Sequence, residues 1–208
     1  MYVPKHFEEN REEEIKRIIE NYPLAILVAN TKKGIIANHI PLILHKFSNS
    51  KKILIGHIAK ANKLHEELKN NDNVMAIFKS EDAYISPNWY PSRNNKREHV
   101  PTWNYQSVHL YGKISFNTDQ RFLLKTVKEL TYIFEKDNNK NTDWKMNDVS
   151  SEFMSSMLKE IVGFEINISD QIAKSKLSQN REKEDSQNVL KKLKKAGFNF
   201  LSDSMDNL

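Results

Sequence analysis

Val100-Pro101-Thr102-Trp103-Asn104-Tyr105-Gln106-Ser107-Val108-His109 is the stretch that decides how this chain is read. It leaves a basic, proline-punctuated loop and enters a strand pattern that continues to Phe116. From Val108 onward one face is apolar, with Val108, Leu110, Ile114 and Phe116 on it and Gly112 among them. The other face carries Trp103, Tyr105, His109 and Tyr111. Alternate residues of a strand share a face, so one side can enter a core while the other offers rings and polar tips. Such a surface suits a flat, partly polar ligand or a partner chain; an aromatic cluster packed across strands accounts for it equally well.

Working outward, most of the chain reads as strands next to strands. Leu24 to Ala29 is an apolar run of strand length, expected to be buried on both faces. Asn30 to Gly34 forms a hairpin turn, and Ile35 to Phe47 returns as a strand whose Pro41 implies an edge or a bulge. Further strands are expected over Lys52 to Ile58, Val74 to Phe78, Ala83 to Ser86 and Ile161 to Ile168. Helical spacing marks Glu8 to Tyr22, Asn62 to Leu68, Asp119 to Glu135, Ser150 to Leu158 and Glu182 to Ala196, the last stopped by Gly197. The βαβ rhythm of a doubly wound sheet is missing. A mainly β fold with peripheral helices follows, a largely antiparallel sheet closed into a barrel. Residues 1–200 are expected to form a single domain ending in a C-terminal helix, with 201–208 a frayed tail.

Composition narrows the function. The 208 residues suffice for one sizeable core. No apolar run is long enough to span a bilayer and the N-terminus lacks a signal-peptide core, which points away from membranes and toward the cytoplasm. The chain has no Cys, so thiolate metal sites, disulfides and Cys nucleophiles are excluded. Thirty-two basic and 27 acidic side chains leave a net charge of +5, too mild to demand a nucleic-acid partner.

Ile55-Gly56-His57-Ile58-Ala59-Lys60-Ala61-Asn62 is a strand running into a helix start. Gly56 permits close backbone approach, Lys60 brings a cation and Asn62 an N-cap; together they suit a phosphate, and a plain capped helix beside a solvated Lys is the alternative. His65-Glu66-Glu67-Leu68-Lys69 begins like a zincin motif but has Lys where the second His must be. His39 and His45 share a strand face at roughly 20 Å, too far for one metal. No metal site is expected. Glycine-rich nucleotide loops and GxSxG are absent. Pro87 to His99 mixes aromatics with cations and could be a lid over an anion or a solvated loop. Lys174 to Arg181 is dense in donors without an acidic residue; it could close over a ligand or cap the last helix through Asn180. Lys191, Lys192, Lys194 and Lys195 suit a helix C-terminus, and no second helix is legible from which to build a helix-turn-helix.

Seven tracts, in order, resemble the PaiB-like family, described as FMN-binding negative transcriptional regulators. They are Met1 to Phe7, His39 to Leu42, Gly56 to Asn62, Ala83 to Pro87 with Trp89-Tyr90, Val100 to Tyr105 with Val108-His109, Gly163 to Ile166, and Lys176 to Arg181. The resemblance implies an FMN-binding split β-barrel of the pyridoxamine-phosphate-oxidase kind, with two subunits paired and a flavin at their interface. Carried onto this chain, it makes His57, Ile58, Ala59, Lys60 and Asn62 candidates for the FMN phosphate. Trp103, Asn104 and Tyr105 become candidates for the flavin ring, and Lys176, Ser178, Gln179 and Asn180 for closing the pocket. Lys63-Leu64 departs from relatives that carry Pro and an aromatic there. DNA binding and repression are implied by the family description alone. A flavin-dependent oxidoreductase is the alternative function and haem binding a lesser one; no catalytic residue stands out.

Overall fold

The computed structural model describes residues 1–48, 51–95, 98–138 and 144–208. Seven strands form one antiparallel sheet: β1 (Leu24–Thr31), β2 (Gly34–Pro41), β3 (Ile43–Ser48), β4 (Lys51–Ala59), β5 (Asn73–Ile85), β6 (Thr102–Asn117) and β7 (Ile161–Lys176). Their order across the sheet is β2-β1-β5-β6-β7-β4-β3. Among the described residues six α-helices accompany them: α1 (Glu12–Asn21), α2 (Leu64–Glu67), α3 (Gln120–Asn138), α4 (Ser151–Leu158), α5 (Lys183–Ala196) and α6 (Asn199–Asp206). The described residues contain no helix long and apolar enough to cross a membrane. Two compact units emerge. The first comprises Met1–Tyr22, Ile77–His109 and Gln171–Leu208; the second comprises Pro23–Ala76 and Leu110–Asp170.

In the second unit, β1 and β2 pair from Leu24↔Pro41 to Thr31↔Gly34. The turn needs a left-handed residue, supplied by Gly34 at φ +107°, and Thr31 Oγ1 receives the Lys33 amide at 3.2 Å. Ala25, Leu27 and Ala29 are buried while the residues between them are half-covered, so β1 is buried on one face rather than on both. The expected strand from Ile35 to Phe47 is two strands. Pro41, which has no N–H to donate, ends β2 on the sheet edge, and the Leu42 amide turns to the Pro23 carbonyl at 2.9 Å. The ladder thus ends at β2 and β3, which do not pair with each other. A register shift between Leu44 and Lys46 bulges β3 at His45, whose Nδ1 meets both Glu129 carboxylate oxygens at 3.1 Å. β4 and β7 pair from Ile53↔Asn167 to Ala59↔Ile161, and Leu130 of α3 covers Ile43, Ile53 and Ile55.

The even-numbered face of β6 is a core face as its spacing predicts: Val108, Leu110 and Ile114 are wholly buried. Gly112 belongs to that row because β7 crosses it closely. A Cβ there would lie 2.4 Å from the Asn167 carbonyl oxygen and 2.9 Å from Ile166 Cγ2.

In the first unit a core of Ala83, Ile85, Tyr90, Leu177, Val189, Leu193 and Leu201 joins β5, the loop after it, α5 and α6. β5 runs unbroken where two short strands were expected. The polar interruption Lys79-Ser80-Glu81-Asp82 stays in the strand because buried Ser80 receives the Gln106 amide at 2.9 Å, while Lys79 pairs with Asp82. The expected tail is also structured. Gly197, at φ +85°, caps α5, and the chain immediately enters α6, which buries Leu201, Ser202 and Ser204.

Gly112→Ala forces a methyl against backbone, which cannot rotate away. The expected cost is about 2–3 kcal/mol, typical of overpacking without relief, read as a lower urea midpoint at unchanged slope. A variant as stable as the parent means β6 and β7 are not in this close contact.

Candidate functional site

The tract assigned to a phosphate lies in the second unit. β4 ends at Ala59 and the chain turns through Lys60 into α2. The Lys60 amide donates to the Glu160 carbonyl at 2.7 Å and the Asn62 amide to the Ala59 carbonyl at 2.8 Å. Asn62 Oδ1 receives the Leu64 amide at 3.1 Å and its Nδ2 donates to Asn38 Oδ1 on β2 at 2.9 Å. Asn62 thus ties a local turn rather than capping as expected: the N-cap of α2 is Lys63, with no side-chain cap hydrogen bond, and the helix is only four residues long. The pattern to Leu68 breaks because the Lys69 amide turns to Asp72 Oδ2 at 2.8 Å and the Asn71 amide to the Ile114 carbonyl at 2.8 Å. A single turn has too few aligned peptides for a useful dipole, so the helix-end contribution to phosphate binding falls away. The space beside Gly56 is filled by Leu42 and Phe164 rather than left to a ligand. Ile58 is buried in the core, so its side chain is not open to a ligand. The Lys60 side chain is exposed and forms no ion pair among the described residues. His57 Nδ1 is buried without a partner among the described residues, and burial pushes the pKa of the ring down, so the neutral form is favoured at pH 7.

The other two tracts meet in the first unit. Trp103 is 51% exposed and stands edge-on to the equally exposed Tyr84, ring centroids 5.8 Å apart. Asn104 points the opposite way and is wholly buried, its Oδ1 receiving Ser178 Oγ at 3.1 Å. Tyr105 is half-buried beneath Lys174, whose Nζ is 5.3 Å from the ring centroid. β7 extends to Lys176, eight residues past its expected end at Ile168, so Lys174 and Lys176 share one strand face. Lys176 Nζ bonds Thr102 Oγ1 and lies 5.9 Å from the Phe7 ring. The chain then reverses at Ser178, φ +64°. Gln179 holds this turn from inside, receiving the Leu177 amide at 2.7 Å and donating to the Ser175 carbonyl at 2.6 Å. Asn180 is exposed and does not cap α5, which begins after Glu182 with no side-chain cap. Thus Thr102 and Asn104 join Lys176 and Ser178, while Asn104, Ser178 and Gln179 act within the protein fabric.

The loop Pro87 to His99 is not a free lid. Tyr90 is buried, Asn188 Nδ2 donates to the Trp89 carbonyl at 2.7 Å, and Ser92 is held by Asp185. Lys96 and Arg97 lie outside the described residues. Ser92 Oγ donates to Asp185 Oδ2 at 2.6 Å and lies 2.7 Å from His99 Nε2. Sequence reasoning missed this cluster, whose members are spread over 94 positions. An acyl-transfer triad places the imidazole between carboxylate and hydroxyl. Here the hydroxyl is in the middle and gives its proton to the carboxylate, so Ser92 is a tie, not a nucleophile.

A second helix does follow α5, contrary to the sequence expectation. It carries Asp203 and Asp206, the latter paired with Lys194, and the Leu201 amide donates to Glu81 Oε1 at 2.8 Å. A recognition helix must present cations to phosphates; α6 presents carboxylates and buries its apolar side.

A buried polar network holds the strands that carry these tracts. Gln106 Nε2 donates to Glu14 Oε1 at 2.6 Å and to Ser175 Oγ at 2.8 Å, and its Oε1 receives Ser204 Oγ at 2.7 Å. Ser175 Oγ donates to Glu9 Oε2 at 2.8 Å. Burial pushes both carboxyls up, but hydrogen bonds outweigh it and both settle below the ordinary value: from Arg11 and Ser175 for Glu9, from Arg17 and Gln106 for Glu14.

Comparison with known proteins places the chain. Residues 1–170 match the family described as "Putative FMN-binding domain". The chain is 35% identical to the protease synthase and sporulation protein PAI 2 of Bacillus subtilis, over 93% of this chain and 89% of that protein. Among solved structures it is similar to the flavocytochrome Anf3 of Azotobacter vinelandii (TM-score 0.58, 12% identity, 84% of this chain and 72% of that one). It is also similar to an FAD and heme binding protein of Mycobacterium smegmatis (TM-score 0.54, 11% identity, 81% and 73%). The fold is thus the flavin-binding split barrel, as expected. The chain belongs to the FMN-binding family of PaiB-like proteins, and its cofactor is FMN.

The depressed carboxyls fix the sign of an acid response. A carboxyl held below its unfolded value of about 4.5 contributes stability above that pH and loses it as pH falls through the folded value. Stability in urea is therefore expected to hold from pH 7 to about 5 and to decline below about 4.5. Gln106→Leu removes a donor from buried Glu14 and costs roughly 1–3 kcal/mol at pH 7. That deficit narrows as pH falls through the folded carboxyl's own value, because the protonated carboxyl loses less with the donor. A deficit constant across the range means these carboxyls do not carry the acid sensitivity.

Proposed function

We propose that this protein works as a homodimer holding FMN at the subunit interface, and that any control of transcription follows the state of the flavin site rather than operator reading. The observation that carries the proposal is the exposed Trp103–Tyr84 pair on the face of β6 that also bears Tyr105. Two large rings left open to water call for a flat ligand or a second subunit to cover them. Trp103 and Tyr105 would lie against the flavin ring, and Lys176 beside Thr102 would close over it. Lys60, an exposed cation without an ion-pair partner among the described residues, would take the phosphate. When bound, FMN supplies a reversible acceptor for hydride or single electrons. The residues named bind and shield it. A regulatory role draws on the similarity to PAI 2, whose name refers to sporulation. The acidic α6 and the modest net charge of +5 weigh against direct DNA reading.

A flavin-dependent oxidoreductase is the second reading. It is favoured by the cation-bearing side of Tyr105, which would offer a substrate both a ring and a charge.

Lys60→Ala removes a charge-assisted contact of roughly 1.5–3 kcal/mol, so the FMN dissociation constant should rise about ten- to a hundredfold while that of riboflavin barely moves. Equal loss for both ligands removes the phosphate from Lys60. Trp103→Ala should weaken both ligands about two- to tenfold, since stacking is common to them. Light scattering should return a dimer. Promoter DNA followed by fluorescence anisotropy at physiological salt should show no sequence preference; a specific, nanomolar operator complex would establish direct repression instead. Oxidation of NAD(P)H by the FMN-loaded protein would favour the enzyme.

A further inference from the structure

Among the described residues, Lys174 is a buried cation without a counter-ion. Only 8% of it is exposed, and among the described residues its Nζ meets the Tyr2 carbonyl at 3.3 Å and the Tyr105 ring. Burying an ammonium costs several kcal/mol unless charge and hydrogen bonds offset it, and one carbonyl plus a ring is a partial offset. Two more cations stand near it. Lys176 follows on the same strand face, and the Ser178 turn folds the chain back, the Arg181 amide donating to the Ser178 carbonyl at 3.0 Å. Arg181 lies over the Tyr90 ring at 4.8 Å. Burial and the charges of Lys174 and Arg181 all pull the pKa of Lys176 down, so Lys176 is within electrostatic reach of both.

Among the described residues no carboxylate forms an ion pair with any of the three. The buried acids of this unit are engaged elsewhere: Glu9 with Arg11 and Ser175, Glu14 with Arg17 and Gln106, and Asp185 with Ser92. Like charges gathered on a half-buried surface repel, and the arrangement is relieved by an anion.

We propose that Lys174, Lys176 and Arg181 form an oxyanion-binding site beside Tyr105, which takes the carboxylate or phosphate group of a small anionic substrate or effector. The assignment rests on the reading that Trp103 and Tyr105 lie against the flavin, since it is this adjacency that makes the anion a partner of the cofactor. It gives that site a substrate class: a molecule with an acidic group, recognised by charge, next to a redox-active ring.

The test uses the full chain, with and without FMN, at constant ionic strength. Inorganic phosphate and acetate are the probes, chloride the control. Thermal shift of the apo protein and the visible flavin spectrum of the loaded protein are the readouts. Saturable stabilisation by phosphate, acetate or both is expected, and the stronger of the two tells which oxyanion the site prefers. Arg181→Gln and Lys174→Met should each raise the anion dissociation constant about tenfold or more, as loss of a charge-assisted contact requires, with FMN affinity changed less than about threefold. Arg181→Gln keeps the test open if Lys174→Met fails to fold. An absent anion effect in the parent, or one unchanged in both variants, overturns the proposal. So does a selective loss of FMN over riboflavin in these variants, which would make the cluster the cofactor's own phosphate site. If the parent binds anions but no flavin, the oxyanion site stands and the flavin reading falls.

Discussion

The first unit turns on one side-chain amide. Gln106 is wholly buried, and its three hydrogen bonds reach α1 through Glu14, β7 through Ser175 and α6 through Ser204. Its own amide N–H reaches β5 through Ser80. A buried amide needs all of its partners, because each one left open costs about 1–3 kcal/mol. Four elements distant in sequence are therefore fixed at a single point, with directionality that hydrophobic contact lacks. The depressed carboxyls of Glu9 and Glu14 are the electrostatic consequence of the same arrangement.

That constraint sets what the strands can offer a ligand. With Gln106 pinned inward, alternation sends Asn104 and Val108 inward and Trp103 and Tyr105 outward. On β7, Ser175 pinned toward Gln106 sends Lys174 and Lys176 to the opposite face. The rings and the cations thus share an origin: both are the faces left over once the polar network has claimed the others. This also explains why Asn104 and Ser178, attractive as donors in the sequence, bond each other instead.

Alternation made β6 readable: the ring-bearing and apolar rows were both legible from spacing, as were the turn at Gly34, the stop at Gly197 and the helix start at Ser150, whose Oγ receives the Phe153 amide. What escaped the sequence depended on distant partners. Lys79 to Asp82 looks like a strand break until Ser80 finds the Gln106 amide. Asn62 to Leu68 has helical spacing, but the Asn71 amide is drawn to β6 and the helix stops after one turn. Asn199 to Asp206 is short and polar, and becomes α6 because Leu201 and Ser204 have a core and an amide to meet. The family tracts were legible because they are local; which of their side chains face outward was not, since β7 extends further than its apolar pattern.

Net charge was the least informative sequence feature, and the structure shows why. A sum of +5 describes neither a patch nor a partner. The information lies in pairing. Arg11 and Arg17 are matched by Glu9 and Glu14, Lys79 by Asp82 and Lys194 by Asp206, and these pairs cancel both locally and in the sum. Among the described residues, Lys174, Lys176 and Arg181 are set apart by lacking such a match while being partly or wholly withdrawn from water. Exposed lysines such as those of α5 are screened by solvent and ions, so their excess has little consequence. The same excess beneath the surface acts over a shorter distance in a lower dielectric, and it gives this otherwise ordinary composition a specific preference for negative charge beside an aromatic strand.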